Sequence, residues 1–205
     1  MEALAPIRPP VWLRKIYPRS QWTADDPESI TLTFDDGPGP LTLPLLDWAD
    51  IHKAQFYFFL SPQQATEHKS VVRRLHNEGH LVGSHFLRHI HYWHRTKQRF
   101  QNDLRKSCTI IEDIIGAPVR YCRVPYGRLA PWQEPWISEL DLTHVFWSLD
   151  SRDYIREPVK SVIQRLKQYL QPGDMVLMHD GQTYHPHLME ILKYIEENKG
   201  MNIGL

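Results

Sequence analysis

In Ile30-Thr31-Leu32-Thr33-Phe34-Asp35-Asp36-Gly37-Pro38, apolar and β-branched residues run straight into two carboxylates and a Gly-Pro turn. The first five residues read as a buried strand. Adjacent acids repel, so a pair at a strand end needs a cation or an arginine nearby. A bare Asp-Asp dipeptide is ordinarily a solvated turn. The apolar strand in front and the forced turn behind make this one a candidate site.

Outward from this stretch the pattern repeats. Strands are expected at Gln55 to Leu60, Leu81 to Ser84, Val119 to Arg123, Thr143 to Ser148 and Met175 to Met178. Helices are expected at 41–53, 63–78, 96–115, 131–140, 157–170 and 185–198. The stripe Phe100, Leu104, Cys108, Ile111 and Ile115 has helical spacing. Gly116, Gly173 and Gly200 follow helical stretches, as C-terminal caps do. Strand–helix alternation on this scale implies an α/β fold, a parallel sheet or barrel covered by helices. Residues 1–29 read as an irregular lead-in and 30–205 as one domain.

Composition narrows the class. The chain has 205 residues, with 24 Lys plus Arg against 24 Asp plus Glu. Zero net charge gives no support for nucleic-acid binding. Two cysteines, Cys108 and Cys122, are too few for a disulfide scaffold and are expected as buried thiols. The first 22 residues hold no signal-peptide core, and no run of 18 apolar residues exists. A protein with no membrane span, cytoplasmic unless an export signal has been removed, is the default expectation. Histidine is the oddity: four of 12 fall between 85 and 94.

The polar residues that follow strands carry the chemistry. In Gly83-Ser84-His85-Phe86-Leu87-Arg88-His89, two histidines four apart can meet on one side of a turn, as zinc ligands do. His91 and His94 are alternative ligands. In Arg123-Val124-Pro125-Tyr126-Gly127, the arginine can orient a carboxylate and a turn amide can donate to an oxyanion. Trp147 to Tyr154 and Met175 to Gly181 again place polar residues after apolar runs. A lone His179 after a strand is more often structural than catalytic. Trp93, Trp132, Trp136 and Trp147 are candidates for stacking on sugar rings or for packing.

Taken in order, these segments resemble the polysaccharide deacetylase family, the NodB homology domain of carbohydrate esterase family four. Thr33–Pro38 matches its first motif, TFDDGP. His85 and His89 fit the second, although Phe86 stands where the family has Ser or Thr. Arg123, Pro125 and Gly127 fit the third, Arg-x-Pro-x-Gly. Asp153-Tyr154 departs from the Asp-Trp of the fourth at the aromatic, and Leu177-x-His179 fits the fifth.

The resemblance implies a distorted (β/α) barrel of about seven strand–helix units. It implies one divalent metal ion, zinc being the expected choice, on Asp36, His85 and His89. It makes Asp35 the general base, held by Arg123, and His179 the general acid, supported by Asp153. The Tyr126 backbone N–H meets the oxyanion, Leu177 lines the acetyl pocket and Tyr154 forms an aromatic wall. The loss of a hydroxyl at Phe86 is expected to loosen the metal-binding loop or change its metal affinity, with no ligand lost. The implied substrate is an acetylated carbohydrate such as peptidoglycan, a chitin-like oligomer, exopolysaccharide or xylan, with N-acetyl favoured, and the implied state is a monomer. A different amide hydrolase or deformylase on the same fold, a non-catalytic sugar-binding derivative and a structural metalloprotein are the rival readings.

Overall fold

A computed structural model describes residues 6–181 and 184–199. Seven strands lie in one parallel sheet: β1 Thr31–Asp35, β2 Tyr57–Leu60, β3 Leu81–Ser84, β4 Tyr121–Cys122, β5 Thr143–His144, β6 Leu149–Asp150 and β7 Met175–His179. Their order is β5-β4-β3-β2-β1-β7-β6. The helices are α1 Leu13–Ile16, α2 Thr42–His52, α3 Pro62–Glu67, α4 Lys69–Asn77, α5 Lys97–Ile115, α6 Glu134–Ser138, α7 Val159–Tyr169 and α8 Leu188–Lys199. The sheet curls into a half-barrel.

Side chains alternate across each strand, and here the two faces have different tasks. Leu32 and Phe34 of β1 join Phe58, Val176 and Met178 in the large core beneath the helices. Their neighbours point inward: Tyr57, Phe59, Val145 and Met175 form a second, smaller cluster. Thr33 and Asp35 share that inner face, where both touch Arg123. β1 is central, and its register against β7 sets Asp35 beside His179 and Thr33 beside Leu177. The C-terminal end of the central strand therefore delivers a carboxylate and an imidazole side by side.

The helical stripe on α5 is buried at Phe100, Leu104, Cys108 and Ile111, and Thr96 and Gly116 cap its ends. Cys108 and Cys122 are both free and buried, as expected. The helix expected over 63–78 is two helices, α3 and α4, broken at His68. Nothing in the local sequence marks that break. Gly200 lies outside the described residues. No helix among the described residues is long and apolar enough to cross a membrane.

The largest difference concerns Thr143 to Ser148, which is not one strand. The chain pairs with one edge of the sheet at β5, crosses, and pairs with the other edge at β6. The lead-in fills the gap between those edges. Gln21 N–H donates to the His144 carbonyl, Phe146 N–H to the Gln21 carbonyl, and Asp150 N–H to the Ile7 carbonyl. Trp22 stacks on Phe146 with ring centroids 4.1 Å apart, and Tyr17 meets the same ring edge-on. Residues 6–29 are thus irregular in backbone, one turn of α1 apart, yet Tyr17 and Trp22 belong to the main core.

Candidate active site

Asp36, His85 and His89 offer ligand atoms that all lie within 4.8 Å of one another. His85 Nε2 is 3.6 Å and His89 Nε2 3.5 Å from Asp36 Oδ1. Asp36 turns out of β1 with a left-handed φ of 71°, which swings its carboxylate away from that of Asp35. His85 follows β3 directly, and its N–H is fixed on the Leu60 carbonyl. Burial and the neighbouring His85 hold the His89 imidazole below its ordinary pKa, against the pull of Asp36. A metal ligand must be neutral imidazole, so the environment favours the ligating form. The buried His85 Nδ1 has no hydrogen-bond partner among the described residues. One carboxylate and two imidazoles fit a divalent ion with positions left open for water and substrate. His91 and His94 are not in this group.

Phe86 does not leave the loop loose. Its side chain is fully buried against Tyr92 and Phe100. Its φ is 65°, and its N–H donates to Ser84 Oγ at 3.1 Å. Ser84 Oγ also shares a 2.6 Å hydrogen bond with Ser107 on α5. The hydroxyl that the resemblance places at position 86 is supplied from position 84, and an aromatic anchor replaces it in the core.

Asp35 is held from one side. Arg123 Nη1 donates to its Oδ1 at 2.8 Å and to Thr33 Oγ1 at 2.7 Å. The remaining donors reach the carbonyls of Val145 and Phe146 at 3.0 and 2.7 Å. The guanidinium lies 4.2 Å from the centre of the Phe59 ring. Arg123 is wholly buried in the barrel interior, and burial pushes its pKa below the usual arginine value while Asp35 resists. The carboxylate's free oxygen, Oδ2, stands 3.9 Å from His85 Nδ1, on the metal-site side.

Asp153 does for His179 what Arg123 does for Asp35. One of its oxygens accepts the His179 backbone N–H at 2.7 Å and the other meets Nδ1 at 2.9 Å. Both ends of the residue are pinned, which leaves Nε2 for the cleft. Burial lowers the imidazole's pKa, but Asp153, Asp35 and Asp36 together win and lift it to about 9. Tyr154 packs its ring against His179 at 5.2 Å, and its hydroxyl donates to Asp150 Oδ2 at 3.1 Å.

Asp35, Asp36, His85, His89 and His179 open on one cleft of about 500 Å³, which Tyr126, Leu177 and Tyr154 also line. Tyr126 adopts a left-handed φ of 62°. At Gly127 a Cβ would lie 2.3 Å from the Trp147 ring, so only glycine lets this turn sit against the cleft floor. Of the four tryptophans, only Trp147 lines the cleft. Trp136 packs on Phe100, and Trp93 and Trp132 are exposed.

The sequence reading missed three groups. Asp180 is fully buried, hydrogen-bonded to Thr42, and pushed up to about 7, chiefly by burial. A Cβ on Gly37 would lie 2.4 Å from Asp180 Oδ1, so this carboxyl braces the loop that carries Asp36. Its position directly after His179 was the available signal. Asp150 is a buried acid on the cleft wall. The third group comes from the lead-in: Pro6, Pro9, Leu13 and Trp22 line the cleft, and no local pattern announces them.

The polysaccharide deacetylase family model matches residues 23–145. The chain is 29% identical over 157 residues to a peptidoglycan-N-acetylglucosamine deacetylase of Bacillus cereus, covering 76% of this chain and 57% of that relative. It is 30% identical over 155 residues to a chitooligosaccharide deacetylase of Azorhizobium caulinodans, covering 75% of this chain and 74% of the relative. In structure it superposes on a peptidoglycan N-acetylglucosamine deacetylase with a TM-score of 0.85 at 24% identity, covering 96% of this chain and 94% of that one.

Proposed function

The chain belongs to the polysaccharide deacetylase family, and we propose that it hydrolyses N-acetyl groups of an N-acetylglucosamine-containing glycan with the help of one bound zinc ion. The observation that carries this reading is the convergence of three units on one cleft: the Asp36, His85 and His89 cluster, the Arg123–Asp35 pair and the Asp153–His179 pair. The family is metal-dependent, and the donor set suits zinc. The names of the two sequence relatives favour an amide-linked acetyl group on a glucosamine unit.

The residues divide the work as follows. Asp36, His85 and His89 would hold a divalent ion, which when bound would supply Lewis-acid activation of the water and of the acetyl carbonyl. Asp35 takes a proton from the attacking water as the new C–O bond forms. Arg123 keeps Asp35 aimed through the hydrogen bond from Nη1 to Oδ1. The Tyr126 backbone N–H donates to the developing oxyanion. Leu177 excludes water from around the acetyl methyl. His179 Nε2–H protonates the sugar nitrogen as the C–N bond breaks, so acetate and a free amine leave. Asp153 accepts the Nδ1 proton throughout, so the proton that the imidazolium gives up is the one on Nε2.

The test uses acetylated chito-oligosaccharide and metal analysis together. Chelation is expected to abolish acetate release, and added zinc to restore it. Asp36→Ala should lose bound metal as well as turnover. Asp35→Asn should keep the metal and lose turnover by about 10²–10⁴-fold. Full activity after exhaustive chelation, or a metal-free Asp35→Asn protein, would overturn the assignment.

A further inference from the structure

The ladder between β4 and β5 stops where the site begins. Thr143 N–H donates to the Arg120 carbonyl and Val145 N–H to the Cys122 carbonyl, and Cys122 stands level with His144. One more step of a parallel ladder would send Val124 N–H to the Val145 carbonyl. That carbonyl accepts Arg123 Nε instead, at 3.0 Å. Val124 N–H leaves the ladder and donates to a side chain, His144 Nε2, at 3.2 Å.

His144 is buried, and its ring meets Phe146 edge-on with centroids 4.2 Å apart. A backbone N–H only donates, so Nε2 carries no proton and the neutral ring has its proton on Nδ1. Nδ1 is buried too, with no hydrogen-bond partner among the described residues. Burial, with Arg123 and His85 nearby, holds the imidazole well below its ordinary pKa, so a second ring proton does not relieve the arrangement. An orphaned buried donor is unfavourable and calls for an explanation. An apolar side chain would remove the orphan, and the bond at Nε2 is what would be lost with it.

That bond holds the turn after β4. Val124 opens the turn Pro125–Gly127, and its carbonyl accepts Gly127 N–H at 3.1 Å. Pro125 has no N–H, so the Val124 amide is the backbone donor that ties the entry of the turn to β5. Tyr126, at the apex, lines the cleft and packs its ring against His89 with centroids 4.4 Å apart.

Resting on the deacetylase reading above, we propose that His144 is a positioning residue for the reaction: its Nε2 draws the Val124 amide off the ladder, leaves the Val145 carbonyl to Arg123, and so sets both the guanidinium that aims Asp35 and the Tyr126 amide that meets the oxyanion. His144 is not among the residues that line the cleft. It acts through the turn.

Two variants separate the hydrogen bond from the bulk of the ring. His144→Leu fills space but accepts nothing, whereas His144→Gln offers an amide oxygen near the place of Nε2. Thermal melting identifies any variant that fails to fold. With N,N′-diacetylchitobiose as substrate, the Leu variant should lose about 10²-fold in kcat, with KM and metal content unchanged, the scale of a misplaced donor at a developing charge. The Gln variant should recover roughly tenfold of that loss, because an acceptor is restored. Hydrogen exchange of the Val124 and Gly127 amides should quicken about tenfold in the Leu variant alone, with the rest of the sheet unchanged. Nitrogen-15 NMR of wild type, which depends on neither variant, should show the His144 proton on Nδ1. A proton on Nε2, equal losses in the two variants, or a loss carried by KM overturns the proposal. Faster exchange confined to this turn in the Leu variant, with no acetate released by wild type from any acetylated sugar, leaves the hold of His144 on the turn standing and sinks the deacetylase reading.

Discussion

Two carboxylates flank the cleft, each with a cationic partner, and the partners differ in one property. Asp35 is paired with Arg123 and Asp153 with His179, at 2.8 and 2.9 Å. Arginine keeps its proton across the whole working range, so the first pair sets a fixed cation beside the carboxylate that the proposed mechanism uses as proton acceptor. Histidine exchanges its proton near neutrality, so the second pair holds a proton ready to give. In the proposed mechanism the carboxylate of one pair is the working group and the cation its holder; in the other the roles reverse. On that reading the same interaction builds a base on one wall and an acid on the other, and the partner's chemistry decides which.

The largest effect is expected from breaking the first pair. Arg123→Leu strands Asp35 in the barrel interior and leaves the Val145 and Phe146 carbonyls without their donor. Loss of about 3–5 kcal/mol of stability is expected, read by denaturant unfolding at pH 7. A variant as stable as wild type would show that the pair is not needed to tolerate the buried carboxylate.

His179→Ala should lower kcat on amide substrates by about 10²–10⁴-fold with metal content intact. The loss should shrink on aryl acetate, whose leaving group departs without a proton. Equal losses on both would make His179 a positioning residue and erase the contrast between the pairs.

Asp153→Asn sharpens the comparison through pH. His179 is lifted to about 9 in the folded protein, against about 6.5 for a free imidazole. Its acid form is lost as pH rises through the folded value, so this sets the alkaline limb of the pH–rate profile. Removing the carboxylate lowers that value, and the limb should move to lower pH. The stability carried by the pair follows the same sign: it is full below about 6.5 and fades as pH rises through about 9. The Asn variant should therefore be most destabilised, relative to wild type, near pH 6 and least above pH 9. Arg123→Leu should show no such alkaline convergence.

The smallest effect belongs to Ser84→Ala, which removes the hydroxyl that holds Phe86 N–H and Ser107. A loss of about 1–3 kcal/mol is expected, with weaker metal retention measured by competition with a chelator. Unchanged metal affinity would mean that the buried Phe86 ring alone anchors the loop.

Much of the candidate site was legible because its residues sit within a few positions of strand ends. The strand before Asp35, the histidine spacing 85–89 and the turn after Arg123 are local patterns, and each maps onto the cleft. The unexpected features are all relations across long separations. Nothing local says that Ser84 will meet Ser107, that Asp180 will brace Gly37, or that the run 143–148 will break to join both edges of the sheet.

By itself, then, the amino-acid sequence determined the alternation of strands and helices, the ionisable residues at strand ends and the composition of the metal cluster. Those depend on side-chain periodicity and on residue type, which are properties of short segments. The tertiary structure decided the closure of the half-barrel by Gln21 and Ile7, and the apolar wall from Pro6 to Trp22. It also decided the pairing of Asp153 with both ends of His179, 26 residues away. Those depend on strand order and on the register of β1 against β7. Parallel strands are joined by long crossovers, so the residues that meet at their ends are set by packing and not by neighbourhood in the chain.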